Sequence, residues 1–130
     1  MNPSPILQRL QAEFPDLLAV YAFGSRITGN AREDSDLDLA ILVAGYADPI
    51  RLFQLSGDLA EITACPVDLL DLRAASTVMQ YQILTTGQRW WAANTQAALY
   101  EAAMLSEKTE LDMARCLLLE EIETRGTIYG

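Results

Sequence analysis

The sequence predicts an α/β (α+β) domain: a small sheet flanked by helices, closed by a long C-terminal helix. Three observations carry this expectation. Short apolar runs alternate with amphipathic segments along the chain, which is the pattern of strands and helices taking turns. A length of 130 residues suits one domain with one core, so residues 1–130 are expected to form a single unit. An apolar fraction of 51% beside a charged fraction of 21% is that of a folded chain rather than a disordered one.

The elements follow in order. Residues 5–13, PILQRLQAE, read as a short helix with Ser4 as cap, Pro5 in the first turn and Ile6, Leu7 and Leu10 on one face. LLAVYAF, 17–23, is a continuous run of strand formers ending at Gly24, the pattern of a buried strand. The stretch 24–34 is too long for a tight hairpin and reads as a loop or a helical turn. SDLDLAILV, 35–43, alternates acid and aliphatic before turning wholly apolar, and is a second strand. In 48–63, Leu52, Leu55, Leu59 and Ile62 recur at helical spacing behind Asp48 as cap and Pro49. CPVDLLDL, 65–72, is a third strand, 75–85 a helix stopped near Gly87, and QRWWA, 88–92, a short edge strand. Its adjacent tryptophans are expected to point opposite ways, one into the core and one toward a partner. From 95 to about 124, Leu99, Ala103, Leu111, Ala114, Leu118 and Ile122 form one helical stripe.

Charge narrows the function. Nine basic against 18 acidic residues give a net charge of −9, a surface that repels nucleic acid backbones. There is no histidine, and Cys65 and Cys116 lie far apart, which removes Cys/His zinc sites and every scheme built on an imidazole base. Lone thiols at apolar positions suit a reducing compartment. The N-terminus lacks the basic segment and apolar core of a signal peptide, and no apolar run reaches the length of a membrane span. A cytoplasmic location is expected.

The chemistry concentrates in GSRITGNAREDSDLDLAIL, residues 24–42. Side chains two apart on a strand share a face, so Asp36 and Asp38 project together while Leu37 and Leu39 enter the core. Adjacent carboxylates repel by up to roughly 4 kcal/mol at intermediate dielectric. Protonation of one acid, an intervening basic side chain or a bridging divalent cation relieves that repulsion, and Mg²⁺ prefers hard oxygen ligands completed by water and phosphate. Asp68, flanked by Val67 and Leu69 in another strand, supplies a third acid if the strands are neighbours. Three such acids suit two-metal displacement at phosphorus. The Gly24–Ser25 turn would let backbone N–H groups approach a phosphate, with Arg26 or Arg32 offsetting charge. Asp71 is expected to face away from Asp68, and Asp34 to be a turn residue.

GS, ten residues, then DLD, with VDLLDL further on, resembles the signature of nucleotidyltransferases with a polymerase-β-like core. The small size and helical tail look like the minimal nucleotidyltransferases, the MntA-type antitoxins of HEPN/MNT toxin–antitoxin pairs. The resemblance implies a small mixed sheet flanked by helices. It implies that Gly24, Ser25 and Arg26 hold the nucleotide triphosphate of ATP, and that Asp36, Asp38 and Asp68 bind Mg²⁺ and form the catalytic triad. Asp68 would be the base for the incoming hydroxyl. The partner implied is a HEPN-domain RNase toxin, bound as a hetero-oligomer and silenced by AMP on a tyrosine, with no direct contact to nucleic acid or membrane. Where the family often has a small or basic residue after the arginine of GSR, this chain has Ile27 and Thr28. Two other readings fit the same residues: a small-molecule nucleotidyltransferase of the aminoglycoside type, and a non-catalytic antitoxin acting by binding.

Overall fold

The structure, a computed structural model, describes residues 2–24, 27, 36–107 and 109. Its elements are helix α1 (Ser4–Glu13), strands β1 (Leu17–Phe23) and β2 (Leu37–Val43), helix α2 (Pro49–Thr63) and strand β3 (Val67–Asp71). A 3-10 turn (Leu72–Ala74), helix α3 (Thr77–Thr86) and strand β4 (Gln88–Ala92) follow. A further helix, α4, occupies 96–107. The strands form one sheet in the order β3-β2-β1-β4. β1 runs antiparallel to β2 and β4, and β2 parallel to β3, so the sheet is mixed as expected.

Helices cover both faces. On one, Ile6 and Leu10 of α1 and Leu52, Leu55 and Leu59 of α2 pack on Val20, Leu39 and Ile41. On the other, Ile83 of α3 and Ala97 of α4 pack on Tyr21, Ala40 and Leu42. β1 and β2 are central and buried from both sides, which is why they read as continuous apolar runs. The edge strands β3 and β4 are half-exposed and correspondingly mixed in composition.

Helix ends follow local chemistry. Asp48 caps α2, its Oδ1 accepting from Ile50 N at 3.0 Å, and Pro49 opens the helix. Ser76 Oγ accepts from Met79 N at 3.2 Å to start α3. Ser4, expected as a cap, is instead the first residue of α1; its N–H donates to Asn2 Oδ1 at 3.1 Å, and Pro3 at the cap position offers no side-chain acceptor. β3 is shorter than the predicted 65–72. Pro66 has no N–H to continue the ladder, and Leu72 turns into the 3-10 segment.

Several side chains lie elsewhere than their periodicity suggests. Ile62, in the last turn of α2, is 45% exposed. In α4, Leu99 and Ala103 face solvent, while Ala97 and Met104 are buried with Tyr100 and Glu101 between them. The stripe rotates because polar partners lie underneath. Tyr21, buried on β1, donates to Glu101 Oε1 at 2.6 Å, and Arg89 of β4 reaches the same oxygen at 3.2 Å. Tyr100 donates to Gln80 of α3, and the Arg73 guanidinium stacks 4.8 Å from its ring centre. Leu111, Ala114, Leu118, Ile122 and Cys116 lie outside the described residues. The tryptophans do not diverge either. Trp91 pairs with Val20 and Arg89 with Tyr21, leaving Trp90 as the extra residue of a bulge. Both rings pack half-buried against the α1–α2 core.

Candidate active site

The site forms where β1 ends and β2 begins. Phe23, last in β1, is paired with Asp38, and Asp38 is level with Asp68 across the parallel β2–β3 ladder. Asp38 and Asp68 therefore project on the same side of neighbouring strands, with the aliphatic Leu37 and Leu39 buried on the opposite face. Asp36 is exposed and stands immediately before β2, outside the strand proper. Asp71 points away from Asp68, as expected. It is buried, and its carboxylate accepts from Ala47 N at 2.9 Å and Arg73 N at 3.0 Å.

Gly24 has φ +81°, the left-handed region that glycine enters without steric cost. A Cβ there would stand 2.1 Å from Asp38 Oδ2. The missing side chain is thus the space in which the Asp38 carboxylate lies. Sequence reasoning gave Gly24 only a phosphate-facing purpose and missed this one. Ile27, at the position where the family often has a small or basic residue, packs against the α1–α2 core, and its N–H donates to Gly24 O at 3.1 Å. Ser25, Arg26, Arg32 and Asp34 lie outside the described residues.

The acids act on one another. Asp38 has its pKa raised above the ordinary carboxylate value, first by half-burial, then by the negative charges of Asp68 and Asp36. The ion pairs among the described residues are Arg9–Glu13, Arg9–Asp58, Arg51–Glu13 and Arg89–Glu101, and none reaches these acids. Charge of one sign, without an ion-pair partner among the described residues and half-withdrawn from water, fits a cation. The donors are hard oxygens, which fits Mg²⁺ better than a softer metal. Among the described residues no three His, Cys, Asp or Glu side chains are drawn close enough to enclose an ion alone. A bound Mg²⁺ would complete its shell with phosphate oxygens and water, its usual company.

Fold and site together define a class. The family model described as polymerase beta, nucleotidyltransferase matches residues 6–96, a span that includes Gly24, Asp36, Asp38 and Asp68, and the chain belongs to this family. Within it, the chain is similar to the protein adenylyltransferase MntA of Shewanella oneidensis, 32% identical over 122 residues that cover 94% of this chain and 88% of MntA. Solved structures agree. A chain in the crystal structure of a toxin–antitoxin with AMP-PNP superposes with a TM-score of 0.82 at 32% identity, covering 95% of this chain and 99% of that one. A chain in the complex of tri-AMPylated Shewanella oneidensis HEPN toxin with MNT antitoxin gives 0.73 at 30% identity, covering 92% and 94%. Among the described residues no helix is long and apolar enough to cross a membrane.

Proposed function

We propose that the chain is an antitoxin that transfers AMP from ATP to a tyrosine of a HEPN-domain RNase toxin, silencing it within a cytoplasmic hetero-oligomer. The supporting observation is likeness to the adenylyltransferase MntA along nearly the whole chain, together with Asp38 and Asp68 level on adjacent strands beside the Gly24 turn. Gly24, Ser25 and Arg26 hold the triphosphate, the N–H groups of the turn donating to its oxygens. Asp36, Asp38 and Asp68 hold Mg²⁺, which when bound neutralises the triphosphate and makes its α-phosphorus more electrophilic.

The chain's own groups do the rest. Asp68, exposed at the sheet edge, accepts the tyrosine proton as the phenolic oxygen attacks the α-phosphorus in line. The new O–P bond forms as the bond to pyrophosphate breaks; pyrophosphate carries away the displaced charge, and the proton passes from Asp68 to water. Asp38, fixed by its strand and by the glycine against it, sets the geometry with little freedom to drift.

The test incubates the purified chain with its cognate toxin and α-labelled ATP. Label is expected on a toxin tyrosine with wild type and absent with Asp38→Asn. An unlabelled toxin that is nevertheless neutralised would replace catalysis by occlusion. Mass gain of one nucleotide on an aminoglycoside, with proteins unmarked, would replace the protein substrate by a small one.

A further inference from the structure

β3 is an edge strand, and its outer side is legible from the ladder. Leu37 N donates to Pro66 O at 2.9 Å, with Leu37 level with Val67. In a parallel pair each residue turns both its N–H and its C=O to the same side. Asp68 and Leu70 therefore bond to β2, and Val67, Leu69 and Asp71 direct their backbone groups outward. Among the described residues the outward groups of Val67 and Leu69 have no backbone partner outside helices and strands, while the Asp71 C=O opens the 3-10 turn. Beside them runs an open groove of about 530 Å³, walled by Phe53 and Ser56 of α2 and Met79 of α3, with Asp68 and Leu69 in its lining. Phe53 is 80% exposed and Met79 38%, and Ile50 adds a further exposed aliphatic on the α2 side.

We infer that this edge and groove receive an extended segment of the protein acceptor as a fifth strand, which brings its hydroxyl residue to Asp68. The inference rests on the adenylyl-transfer reading and names the surface that reading lacks. Asp68 belongs both to the acid cluster and to the groove, so a chain seated there ends at the acid that takes the proton. Outward N–H and C=O groups at alternate residues match the repeat of another extended backbone, which favours a polypeptide over a small molecule. The apolar walls suit side chains alternating off that strand. A net charge of −9 favours an acceptor whose flanking residues are basic.

The experiment measures steady-state AMP transfer to the cognate toxin by wild type and by a Phe53→Gln, Met79→Gln double variant. Both positions are exposed, so the fold is retained, which a thermal melt verifies. The KM for the toxin should rise about tenfold, with kcat and calorimetric ATP affinity changed less than about twofold. Amide exchange at Val67, Leu69 and Asp71 should slow about tenfold when the toxin is added, with no change at Asp68 or Leu70. An unchanged KM, or unchanged exchange at the outward amides, overturns the docking. So does a wild-type homodimer in sedimentation that the double variant abolishes while KM stays put, since a second copy would then own the edge. A wild type that labels the toxin yet fails these tests keeps its transferase reading and loses the edge; one that labels no protein overturns both.

Discussion

Gly24→Ala is the most informative single change. The added Cβ would meet Asp38 Oδ2 at 2.1 Å, Cγ at 3.1 Å and Cβ at 3.4 Å. Only the carboxylate end is in serious conflict, and to regain ordinary contact its oxygen must withdraw by about 1 Å or more. The backbone contributes separately, because φ +81° costs a non-glycine residue about 1–2 kcal/mol. Driving Asp38 off its rotamer adds roughly 0.5–1.5 kcal/mol. In a chain of this size about 1 kcal/mol shifts Tm by roughly 3–5 °C, so Gly24→Ala should melt roughly 5–17 °C lower. Misplacing a catalytic group by about 1 Å costs on the order of 100-fold in rate. The assay is AMP transfer beside calorimetric melting, repeated in an Asp38→Ala background. There only the 3.4 Å contact persists, so the rotamer part of the penalty should vanish and the backbone part remain. Equal losses of Tm in both backgrounds, with transfer by Gly24→Ala at the wild-type rate, would refute the account of this turn.

Asp38→Asn should stabilise the metal-free protein, since it removes a partly buried charge facing two like charges. The sign with pH follows from the raised pKa. The native state holds this proton more tightly than the unfolded chain, so wild-type stability falls as pH rises from the ordinary value of 3.8 through the raised one. Urea melts of the two proteins should therefore coincide below that window and separate above it; separation only at low pH would contradict it. Millimolar Mg²⁺ should raise the wild-type Tm by mass action and leave an Asp36→Ala, Asp38→Ala variant unmoved. Gly87→Ala sets a Cβ 2.8 Å from Ala22 O and 2.5 Å from Ile83 O, backbone atoms with no rotamer to change, and should cost about 1–3 kcal/mol in denaturant melts. Tyr21→Phe removes the hydroxyl that donates to Glu101, leaves that carboxylate to Arg89 alone and should cost about 0.5–1.5 kcal/mol with transfer unchanged.

The central strands were legible because burial on two faces leaves no choice of residue type, and β1 was read from LLAVYAF with both ends correct. Asp38 and Asp68 were legible as a pair because each interrupts an apolar strand run and a Gly-Ser turn precedes the first at a fixed spacing. Less legible was whatever depends on contacts between distant segments. The face of α4 is decided by Tyr21 and Arg89 finding Glu101, and no window of 15 residues contains all three. The paired burial of Trp90 and Trp91 needs a bulge that alternation cannot foresee. Gly24 was recognised as a turn, but its contact with Asp38 becomes visible only once β1 and β2 are aligned.

The buried Asp71 carries a consequence for how the reactive geometry is inherited. Its carboxylate ties the loop before α2 and the turn after β3 to one point, which pins how far β3 slides along β2. A slip of one residue would turn Asp68 to the wrong face and bring Leu69 out in its place. Asp71 therefore guards a reaction it never touches. The five residues of β3 thus move only as a set.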